Sequence, residues 1–588
     1  MKIDLTLLAQ KFDNVEFFLT CFFPSEDVQF SGAPPAHLCA WQGPDFLAVT
    51  SRTRESGSTL FHDLQGVRGV FRGYEGEVGV HSYSPPDVLQ RVLADPACLE
   101  NGVFASLSYF PDTATGIVRN DAVGFAPLYY RQIGRSWWFA SHAALLHLDG
   151  DEQDLPAWTS LLQGGHVFDG RTIYRHVKRL DPGTHLTLTR EDAVNASWFS
   201  FDELPPGEQA IDDAAFEEVE HAYQNAVDRC LRLRDSYILP LSSGYDSRRF
   251  FASLTRRQLP FKAVTCQSFH RKNGRDYDID AHFAPQIARA FGVDCEVVPA
   301  SLGAQIDADE RYRQDLIGTE TFMHGWSVPL MRWLSGQRPS IVFDGLAGDT
   351  YGNSGYEIDG LHADPASDVE LILDEVSSTR FFDQVAGPLP DRAAFRQAYR
   401  TFLERFSPNP NQAEYAFLQA RTRRCISPWI TMMHPPGHVV VFPYCDTEFV
   451  RATMKYHPAD KYKWFFQREC LKRFYPEYYA FPGSRNLPPD HPPRDQATTD
   501  AVDAAQENYL YGNRAHLFSA AKYLSWKNKA ILIASAVMPG LRSKRRWLFD
   551  RLLALVKTQH ESTVFIQAGA DPALDNGRQE SLPTFKQV

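Results

Sequence analysis

Two apolar runs, far apart in the chain, each end in a glycine-containing turn that holds one aspartate. Residues 237–241 precede a serine and glycine turn around Asp246, and the sequence from Arg248 onward has helical spacing. Residues 340–344 precede a glycine-rich turn that holds Asp349. A strand, a turn and a helix in this order present backbone N–H groups to an anion. Two parallel strands of this kind would bring both aspartates to one crevice at the carboxyl edge of a sheet.

The chain is too long for a single core, since 588 residues predict two or three domains. Its net charge of −12 gives no support to nucleic-acid binding. Nine cysteines without a Cys-x-x-Cys pair argue against a zinc site and a disulfide framework. We find no signal-peptide pattern and no transmembrane run, and we therefore expect a cytoplasmic protein.

The pattern of apolar residues predicts an α/β protein of two different halves followed by an extension. Residues 1–200 alternate short β-rich runs with turns, which indicates a layered domain rich in antiparallel strands. After a linker, residues 213–485 repeat βα units, which predicts a doubly wound parallel sheet. Residues 495–588 are expected to form a helical extension with a polar tail. The predicted strands lie at residues 15–20, 46–50, 102–110, 137–141, 261–266, 295–299 and 341–344.

The first turn resembles the pyrophosphate loop of the N-type ATP pyrophosphatases. That loop has the frame Ser-Gly-Gly-x-Asp-Ser, and one residue of this chain departs from it, a serine in place of the second position's glycine. Neither the Walker nor the dinucleotide-binding pattern fits. The resemblance implies a doubly wound ATP-pyrophosphatase domain in which the phosphates of ATP are bound by Ser242, Ser243, Gly244, Asp246 and Ser247. It also implies that Asp246 holds Mg²⁺.

The second turn resembles that of the asparagine synthetase family, whose frame is Gly-Glu-Gly-Ala/Ser-Asp-Glu. Gly345, Gly348 and Asp349 fit this frame, whereas Leu346 stands where the family has a glutamate. The resemblance implies that Asp349 is the second Mg²⁺ carboxylate and that Gly345 and Val264 line the nucleotide site. A leucine accepts no proton. The role of the family's glutamate then falls to the substrate or to a neighbouring group, for which the candidates are Glu320, His324, Tyr351 and Glu357.

Two later segments continue the resemblance to the synthetase half of that family. Residues 437–450 are similar to its Arg-x-Pro-Phe-Leu-Asp segment, and residues 461–470 to its Lys-x-x-Leu-Arg-Glu segment. In the family, the lysine of the second segment contacts phosphate and the tetrahedral intermediate. The resemblance therefore implies this catalytic role for Lys463, with Lys461 as the alternative.

The roles of several basic residues outside these frames stay open. Arg248 contributes to phosphate binding, binds a substrate carboxylate or faces solvent. Arg423 and Arg424 face a triphosphate or, as we favour, solvent. Residues 541–556 mix basic with apolar side chains and either rest on a membrane surface or, as we favour, pack on the synthetase half.

Three amino-terminal segments resemble the glutaminase domain of asparagine synthetases, an Ntn-hydrolase fold, at residues 120–130, 139–145 and 172–184. The chemistry of that domain is missing, because Met1 and Lys2 stand where the family has its nucleophilic N-terminal cysteine. Cys21 is expected to be a buried strand cysteine; it would be the nucleophile only if processing removed the twenty residues before it. We expect the fold to be kept without glutaminase activity, as β-lactam synthetases keep it.

Together these resemblances imply an ATP-dependent carbon–nitrogen ligase with Asp246, Asp349 and Lys463 as catalytic residues. It would adenylate a carboxylate substrate, release pyrophosphate and transfer an amine donor to the acyl-adenylate in a specialised biosynthetic pathway, using ATP and Mg²⁺. The substrates are expected to be small molecules or a biosynthetic intermediate, and the oligomeric state stays open. Two alternatives also stay open: a glutamine-hydrolysing asparagine synthetase, and a silent family member that acts as a nucleotide-binding or scaffold protein.

Overall fold

A computed structural model describes most of the chain before residue 484 and parts of the remainder. The described residues are 1–53, 57–268, 270–272, 275–352, 355–356, 358–362, 364–462, 465–483, 487–488, 490–501, 504, 511, 521–537, 552, 565–567 and 586–587. Lys463 and Glu357 lie outside them, and so does the stretch 541–556 apart from Leu552, which is buried.

Strands dominate before residue 200, and helices dominate after it. The strands are β1 (Lys2–Asp4), β2 (Phe18–Phe22), β3 (Gln29–Ser31), β4 (Leu38–Gln42), β5 (Phe46–Ser51), β6 (Phe61–Leu64), β7 (Val67–Glu75), β8 (Val80–His81), β9 (Gly102–Phe110), β10 (Thr115–Asn120), β11 (Tyr129–Ile133), β12 (Ser136–Ala140), β13 (Lys178–Arg179), β14 (Thr184–Leu188), β15 (Ala193–Ser197), β16 (Tyr237–Pro240), β17 (Phe261–Cys266), β18 (His270–Lys272), β19 (Arg275–Tyr277), β20 (Cys295–Val298), β21 (Ile341–Phe343), β22 (Val439–Val441), β23 (Ile566–Gln567) and β24 (Lys586–Gln587).

The helices cover both faces of the second half and are sparse in the first. They are α1 (Leu5–Lys11), α2 (Pro86–Ala94), α3 (Leu155–Gly164), α4 (Asp213–Leu231), α5 (Tyr245–Arg256), α6 (Ile279–Ala290), α7 (Ala304–Ile317), α8 (Val328–Ser335), α9 (Gly348–Tyr351), α10 (Pro365–Val376), α11 (Thr379–Phe382), α12 (Arg392–Glu404), α13 (Gln412–Phe417), α14 (Ser427–Thr431), α15 (Thr447–Met454), α16 (Pro458–Lys461), α17 (Phe465–Phe474), α18 (Pro476–Tyr479) and α19 (Trp526–Val537). A π-helix, Leu418–Ile426, joins α13 to α14.

The amino-terminal half contains two large sheets and a small one of order β23-β1-β3. One large sheet has the order β13-β11-β12-β2-β5-β4, the other β24-β15-β14-β10-β9-β7-β6, and all pairs among β2 to β15 are antiparallel. The faces meet through aromatic side chains. The rings of Phe46 and Tyr109 are stacked with centroids 5.9 Å apart, and Gly116 leaves room for the ring of Phe22. The prediction of a layered domain rich in antiparallel strands is confirmed.

The second half contains a five-stranded parallel sheet with the order β20-β17-β16-β21-β22. The chain runs outward from β16 to β17 and β20, then returns past β16 to β21 and β22. Crossovers between parallel strands are almost always right-handed, so crossovers in opposite directions place helices on both faces of this sheet, and it is doubly wound, as predicted. Ligands of such sheets bind where the direction reverses. The space outside the carboxyl ends of β16 and β21, bordered by residues 242–247 and 345–349, is here named the switch-point crevice.

A buried network of charges joins the two halves. Glu320 pairs with Arg424, whose Nη2 lies 2.7 Å from Glu320 Oε1, and with Arg179, whose Nη1 lies 3.2 Å from Glu320 Oε2. Arg423 donates to the carbonyls of Gly124 and Leu180, and burial lowers the pKa of its guanidinium to about 9. Arg423 and Arg424 therefore face neither a triphosphate nor solvent. Both expectations for these two residues were wrong, because the π-helix directs them into the seam.

Three further observations bear on the expectations from sequence. All nine cysteines are free thiols. Within the ranges given above, the helices are all too short or too polar for a transmembrane span. The segment just before residue 495 contacts the parallel-sheet half, since Arg494 Nη2 lies 2.7 Å from Asp278 Oδ1.

Candidate functional site

The first aspartate turn follows β16 and opens α5. Ser247 Oγ accepts a hydrogen bond from the Ser242 N–H at 3.0 Å and donates to the Ser242 carbonyl at 3.1 Å, while the Gly244 N–H donates to Ser242 Oγ at 3.1 Å. The Ser243 N–H and hydroxyl both donate to Asp280 Oδ1, at 2.8 and 2.7 Å. Ser243, which departs from the family frame, therefore binds the turn to α6.

Glycine at two positions lets the second aspartate turn approach the first. A Cβ on Gly345 would lie 3.0 Å from the Asp246 Cβ. A Cβ on Gly348 would lie 2.8 Å from Asp246 Oδ1 and 2.7 Å from Tyr444 Cδ2. The structure therefore brings Asp246 against the turn that carries Asp349, although the two residues are far apart in sequence.

Acidic groups in the second turn are held in surroundings that disfavour ionisation. Burial raises the pKa of Asp349, and the positive charge of Arg421 opposes that rise. Burial also raises the pKa of Asp344 to about 6, against the hydrogen bond from the Leu346 N–H. Perturbed carboxyl groups beside a crevice are typical of functional sites. Sequence reasoning missed Asp344, and its place at the end of a predicted strand was the available signal.

The π-helix forms one wall of the switch-point crevice. The hydroxyls of Thr350 and Thr422 are hydrogen bonded at 3.2 Å, which brings this helix against the residue after Asp349. Arg421 precedes Thr422 and is exposed. A π-turn often occurs at a functional site. The arginine that faces the crevice is therefore Arg421, which the sequence analysis did not select.

Helix α17 braces both turns through one side chain. Gln467 Nε2 donates to the Gly348 carbonyl at 3.0 Å, and Gln467 Oε1 accepts from Arg249 Nη1 at 3.0 Å. Arg248 donates to the Phe481 carbonyl at 2.9 Å and to the Gly244 carbonyl at 3.2 Å. Both arginines are fully buried. Arg248 therefore holds the chain beside the first turn, and solvent exposure, one of its expected roles, was wrong.

Other predicted site residues have less access to the crevice. Val264 is fully buried and its carbonyl accepts a hydrogen bond from the Leu241 N–H at 2.7 Å, so its side chain belongs to the core of the sheet. Lys461 is fully buried and donates to the Thr453 carbonyl at 3.3 Å. Burial lowers the pKa of the Lys461 ammonium to about 8, and Glu414 opposes this shift. The preferred lysine, Lys463, is outside the described residues.

The candidates for the missing glutamate have different positions. Glu320 is fully buried in the seam, and Tyr351 is fully buried as well. His324 lies beside the π-helix, with its Nε2 3.7 Å from the Cys425 sulfur. Burial, with a contribution from Arg421, lowers the pKa of His324 to about 3, so the imidazole is neutral. Of the described candidates, His324 alone lines this wall.

A small cavity lies between the amino-terminal sheets and the second half. Its volume is about 30 Å³, enough for water-sized molecules. Glu16 and Arg72 form a buried ion pair on its wall at 2.9 Å, and His434 lies 3.4 Å from the same carboxylate. Burial opposes ionisation of Glu16, yet His434 and Arg72 hold its pKa at about 2. The space is therefore lined by fixed charges, which the sequence analysis did not anticipate.

Cys21 was considered as a nucleophile in the amino-terminal half. It lies within β2 and is fully buried, and burial raises the pKa of its thiol well above the ordinary value. A thiol of this kind is unreactive, because the thiolate is the nucleophile. The expectation of a buried strand cysteine is confirmed.

A protein-family model matches part of the sequence. Residues 90–199 match the model of the glutamine amidotransferase domain. No curated protein matches the chain. Among the residues that the structure describes, no group of three or more His, Cys, Asp and Glu side chains is arranged to hold a metal ion.

Two of the solved structures that match this chain do so at low identity. One is the structure of the allosteric regulatory enzyme of purine biosynthesis, at 11% identity and a TM-score of 0.22, with 50% of this chain and 77% of that chain covered. The other is glutamine phosphoribosylpyrophosphate amidotransferase from B. subtilis complexed with ADP and GMP, at 11% and 0.22, covering 59% and 73%. Scores this low carry no argument. Residues 90–199 are therefore similar to a glutamine amidotransferase domain.

Proposed function

We propose that this chain is an ATP-dependent, AMP-forming carbon–nitrogen ligase of the asparagine synthetase type. The observation that carries the proposal is the approach of Asp246 to the second turn, where a Cβ on Gly348 would lie 2.8 Å from Asp246 Oδ1. This approach is at the reversal point of a doubly wound sheet, which is where such sheets bind nucleotides. The serine and glycine turn before α5 supplies N–H groups and hydroxyls for phosphate.

The acidic residues of the two turns suit Mg²⁺. Enzymes that bind nucleotides commonly hold Mg²⁺ with one or two carboxylates, and the phosphates of the substrate complete the coordination. Asp246 and Asp349 are the two carboxylates that would hold it here. Bound Mg²⁺ would supply positive charge against the phosphates of ATP. Gly345 and Gly348 have no side chains, so the Asp246 carboxylate lies directly next to the second turn.

The chemistry proposed for the crevice has two steps. An oxygen of the substrate carboxylate attacks the α-phosphate of ATP, the bond to the β-phosphate breaks, and pyrophosphate leaves. An amine then attacks the acyl carbon, loses a proton, and AMP leaves as the amide forms. In this scheme Ser242, Gly244 and Ser247 orient the phosphates, Arg421 offsets the charge of the carboxylate, and Lys463 stabilises the oxyanion.

The nitrogen donor separates this proposal from a second candidate function, a glutamine-dependent amidotransferase. The domain match at residues 90–199 favours the second candidate. The buried, protonated thiol of Cys21 argues against that residue as the nucleophile of glutamine hydrolysis. We therefore propose that a free amine is the donor. Glutamate release from glutamine during turnover would support the second candidate instead.

The test is ATP–pyrophosphate exchange with pooled carboxylates. Radiolabel from pyrophosphate is expected to enter ATP, and Asp246→Asn and Asp349→Asn are each expected to lower the rate about 100-fold or more. Asp228→Asn is the matched control, because this carboxylate is exposed and pairs with Arg257 on the surface. No exchange together with no ATP binding would instead favour a scaffold protein.

A further inference from the structure

We infer that the outer wall of the switch-point crevice binds a carboxylic acid with an aromatic ring, and that this acid is the substrate adenylated there. The inference rests on the proposed function. The wall consists of Arg421, His324, Trp326 and Trp429, named here the aromatic wall. It combines a planar apolar surface with a cation beside the second aspartate turn.

Trp326 is the main apolar surface of the aromatic wall. Its side chain is 42% exposed, whereas Trp429 is 8% exposed. The two indole rings have centroids 5.4 Å apart, and the imidazole of His324 lies 6.0 Å from Trp326 and 6.5 Å from Trp429. Trp429 and His324 therefore pack against Trp326, which stays partly exposed. Aromatic rings stack on such a face in offset or edge-on arrangements.

The position of the aromatic wall follows from contacts on both sides. The Cys266 thiol, at the carboxyl end of β17, lies 3.4 Å from the Trp326 carbonyl. On the π-helix, Cys425 contacts His324, and Arg421 precedes Cys425 by one turn. Thr422, which follows Arg421 in the sequence, is hydrogen bonded to Thr350, the residue after Asp349. The ring surface and the guanidinium are thus on one rim of the crevice that holds Asp246 and Asp349.

The positive charge of the aromatic wall indicates which group of the ligand accompanies its aromatic ring. Arg421 is exposed and forms no ion pair with a described residue, and its described contact is the ring of Phe417, at 5.5 Å. A guanidinium in this position binds a carboxylate, in two parallel hydrogen bonds where geometry allows. It also offsets the repulsion between that carboxylate and the phosphates of ATP. Neutral His324 adds no competing charge to the wall.

The backbone of this wall is held in an uncommon conformation. His324 has φ of +70°, in the left-handed region that a residue with a side chain seldom adopts. Ala347, in the second turn, has φ of +68°. Such conformations cost free energy and cluster at binding and catalytic sites. Their occurrence on both borders of the crevice supports a built site rather than a stray exposed tryptophan.

Calorimetric binding of three small molecules to the full chain, with Mg²⁺ and a non-hydrolysable ATP analogue present, tests the inference. The probes are 3-phenylpropionate, 3-cyclohexylpropionate and 3-phenylpropanol. We expect the phenyl acid to bind about 10-fold more tightly than the cyclohexyl acid, because only a flat ring stacks on the indole. We expect the alcohol to bind about 10-fold more weakly than the phenyl acid, because it lacks the carboxylate.

Two variants assign these differences to residues. Trp326→Leu is expected to remove the preference for the flat ring, and Arg421→Gln is expected to weaken both acids but not the alcohol. Trp526→Leu is the matched control, since this indole is 83% exposed on α19. Equal affinity for the two acids would overturn the inference. So would a Trp326→Leu variant that weakens ATP binding alone, because the indole would then contact adenine.

The exchange assay separates this inference from the proposed function. Exchange with aliphatic acids but not with aromatic ones overturns the inference and leaves the ligase standing. If no acid supports exchange but the phenyl acid binds tightly and this binding depends on Trp326, the ligase proposal is overturned and the binding site is supported. Faster exchange with 3-phenylpropionate than with 3-cyclohexylpropionate, reduced about 10-fold in Trp326→Leu, supports both.

Discussion

Gln467 joins the two aspartate turns, because it donates to the Gly348 carbonyl at 3.0 Å and accepts from Arg249 at 3.0 Å. Its side chain is fully buried, so water does not compete for either hydrogen bond. Arg249 in turn pairs with Glu220 of α4 at 2.7 Å. The geometry of the crevice therefore depends on α4, α5 and α17 together.

Replacement of Gln467 by leucine is expected to destabilise the fold by about 1–3 kcal/mol, because a buried carbonyl and a buried guanidinium each lose a partner. Unfolding in urea, followed by tryptophan fluorescence, measures the change. Gln286→Leu is the control, since that side chain is exposed on α6 and its loss is expected to cost less than about 0.5 kcal/mol. An equal effect of the two substitutions would contradict the bracing role.

Replacement of Gly348 by alanine is expected to abolish nucleotide binding with little loss of secondary structure. The new methyl group would lie 2.8 Å from Asp246 Oδ1 and 2.7 Å from Tyr444, so the carboxylate must move. Equilibrium dialysis with labelled ATP measures the result. Gly336→Ala is the matched control, because its nearest neighbour would be 3.5 Å away, an ordinary contact. Unchanged ATP affinity in Gly348→Ala would argue against a nucleotide site here.

The buried lysine gives a prediction about pH. Burial lowers the pKa of Lys461 from 10.5 to about 8 in the folded chain, so the unfolded chain binds more protons between these values. The free energy of unfolding of the wild type, relative to Lys461→Met, is therefore expected to rise between pH 8 and 10.5. The rise should be on the order of 1–3 kcal/mol. Chemical unfolding across this range measures it, and Lys472→Met, at an exposed position, should show no such trend.

The charge network in the seam gives a prediction about stability. Glu320→Gln leaves the guanidiniums of Arg424 and Arg179 without their buried carboxylate, which is expected to cost about 3–5 kcal/mol. Glu152→Gln breaks an exposed pair with Arg175, in which both side chains are 63% exposed, and is expected to cost less than about 1 kcal/mol. Thermal unfolding of the two variants compares them. Similar melting temperatures would contradict the structural role of the buried pair.

Cys21→Ala tests the source of nitrogen. If the thiol is only a core group, the variant is expected to match the wild type in amide formation from a free amine, with a modest loss of stability from the cavity. Product formation with ammonium and with glutamine, measured by mass spectrometry, separates the donors. Loss of glutamine-dependent product in this variant alone would show that the thiol is a nucleophile.

The sequence predicted those parts of the structure that local pattern determines. Residues 102–110 and 261–266 are strands with the predicted bounds, because apolar and β-branched residues dominate both runs. The fifth parallel strand, Val439–Val441, was missed, because three valines within a family-like segment gave too short a run to distinguish from a loop. Helix α8 begins at Val328, after the left-handed turn at His324, which no local sequence pattern indicates.

The candidate site was predicted only as far as local sequence carries information. Asp246 and Asp349 follow strands, and topology alone brings their turns together. The roles of Arg421, Arg423 and Arg424 depend on which side of one helix each residue occupies. A regular α-helical pattern assigns those sides wrongly when a π-turn intervenes. Exposure of Trp326 likewise depends on tertiary packing that no short window of sequence reports.

The π-helix Leu418–Ile426 has a consequence for how this protein tolerates change in length. Its wider turn directs Arg421 toward the switch-point crevice and Arg423 and Arg424 toward the amino-terminal sheets. Helix α13, which precedes it, has ordinary winding, so deletion of a single residue there would rotate everything beyond the deletion by about 100° about the helix axis. One codon lost from α13 would therefore turn Arg423 and Arg424 away from their partners in the seam and Arg421 away from the crevice in a single event.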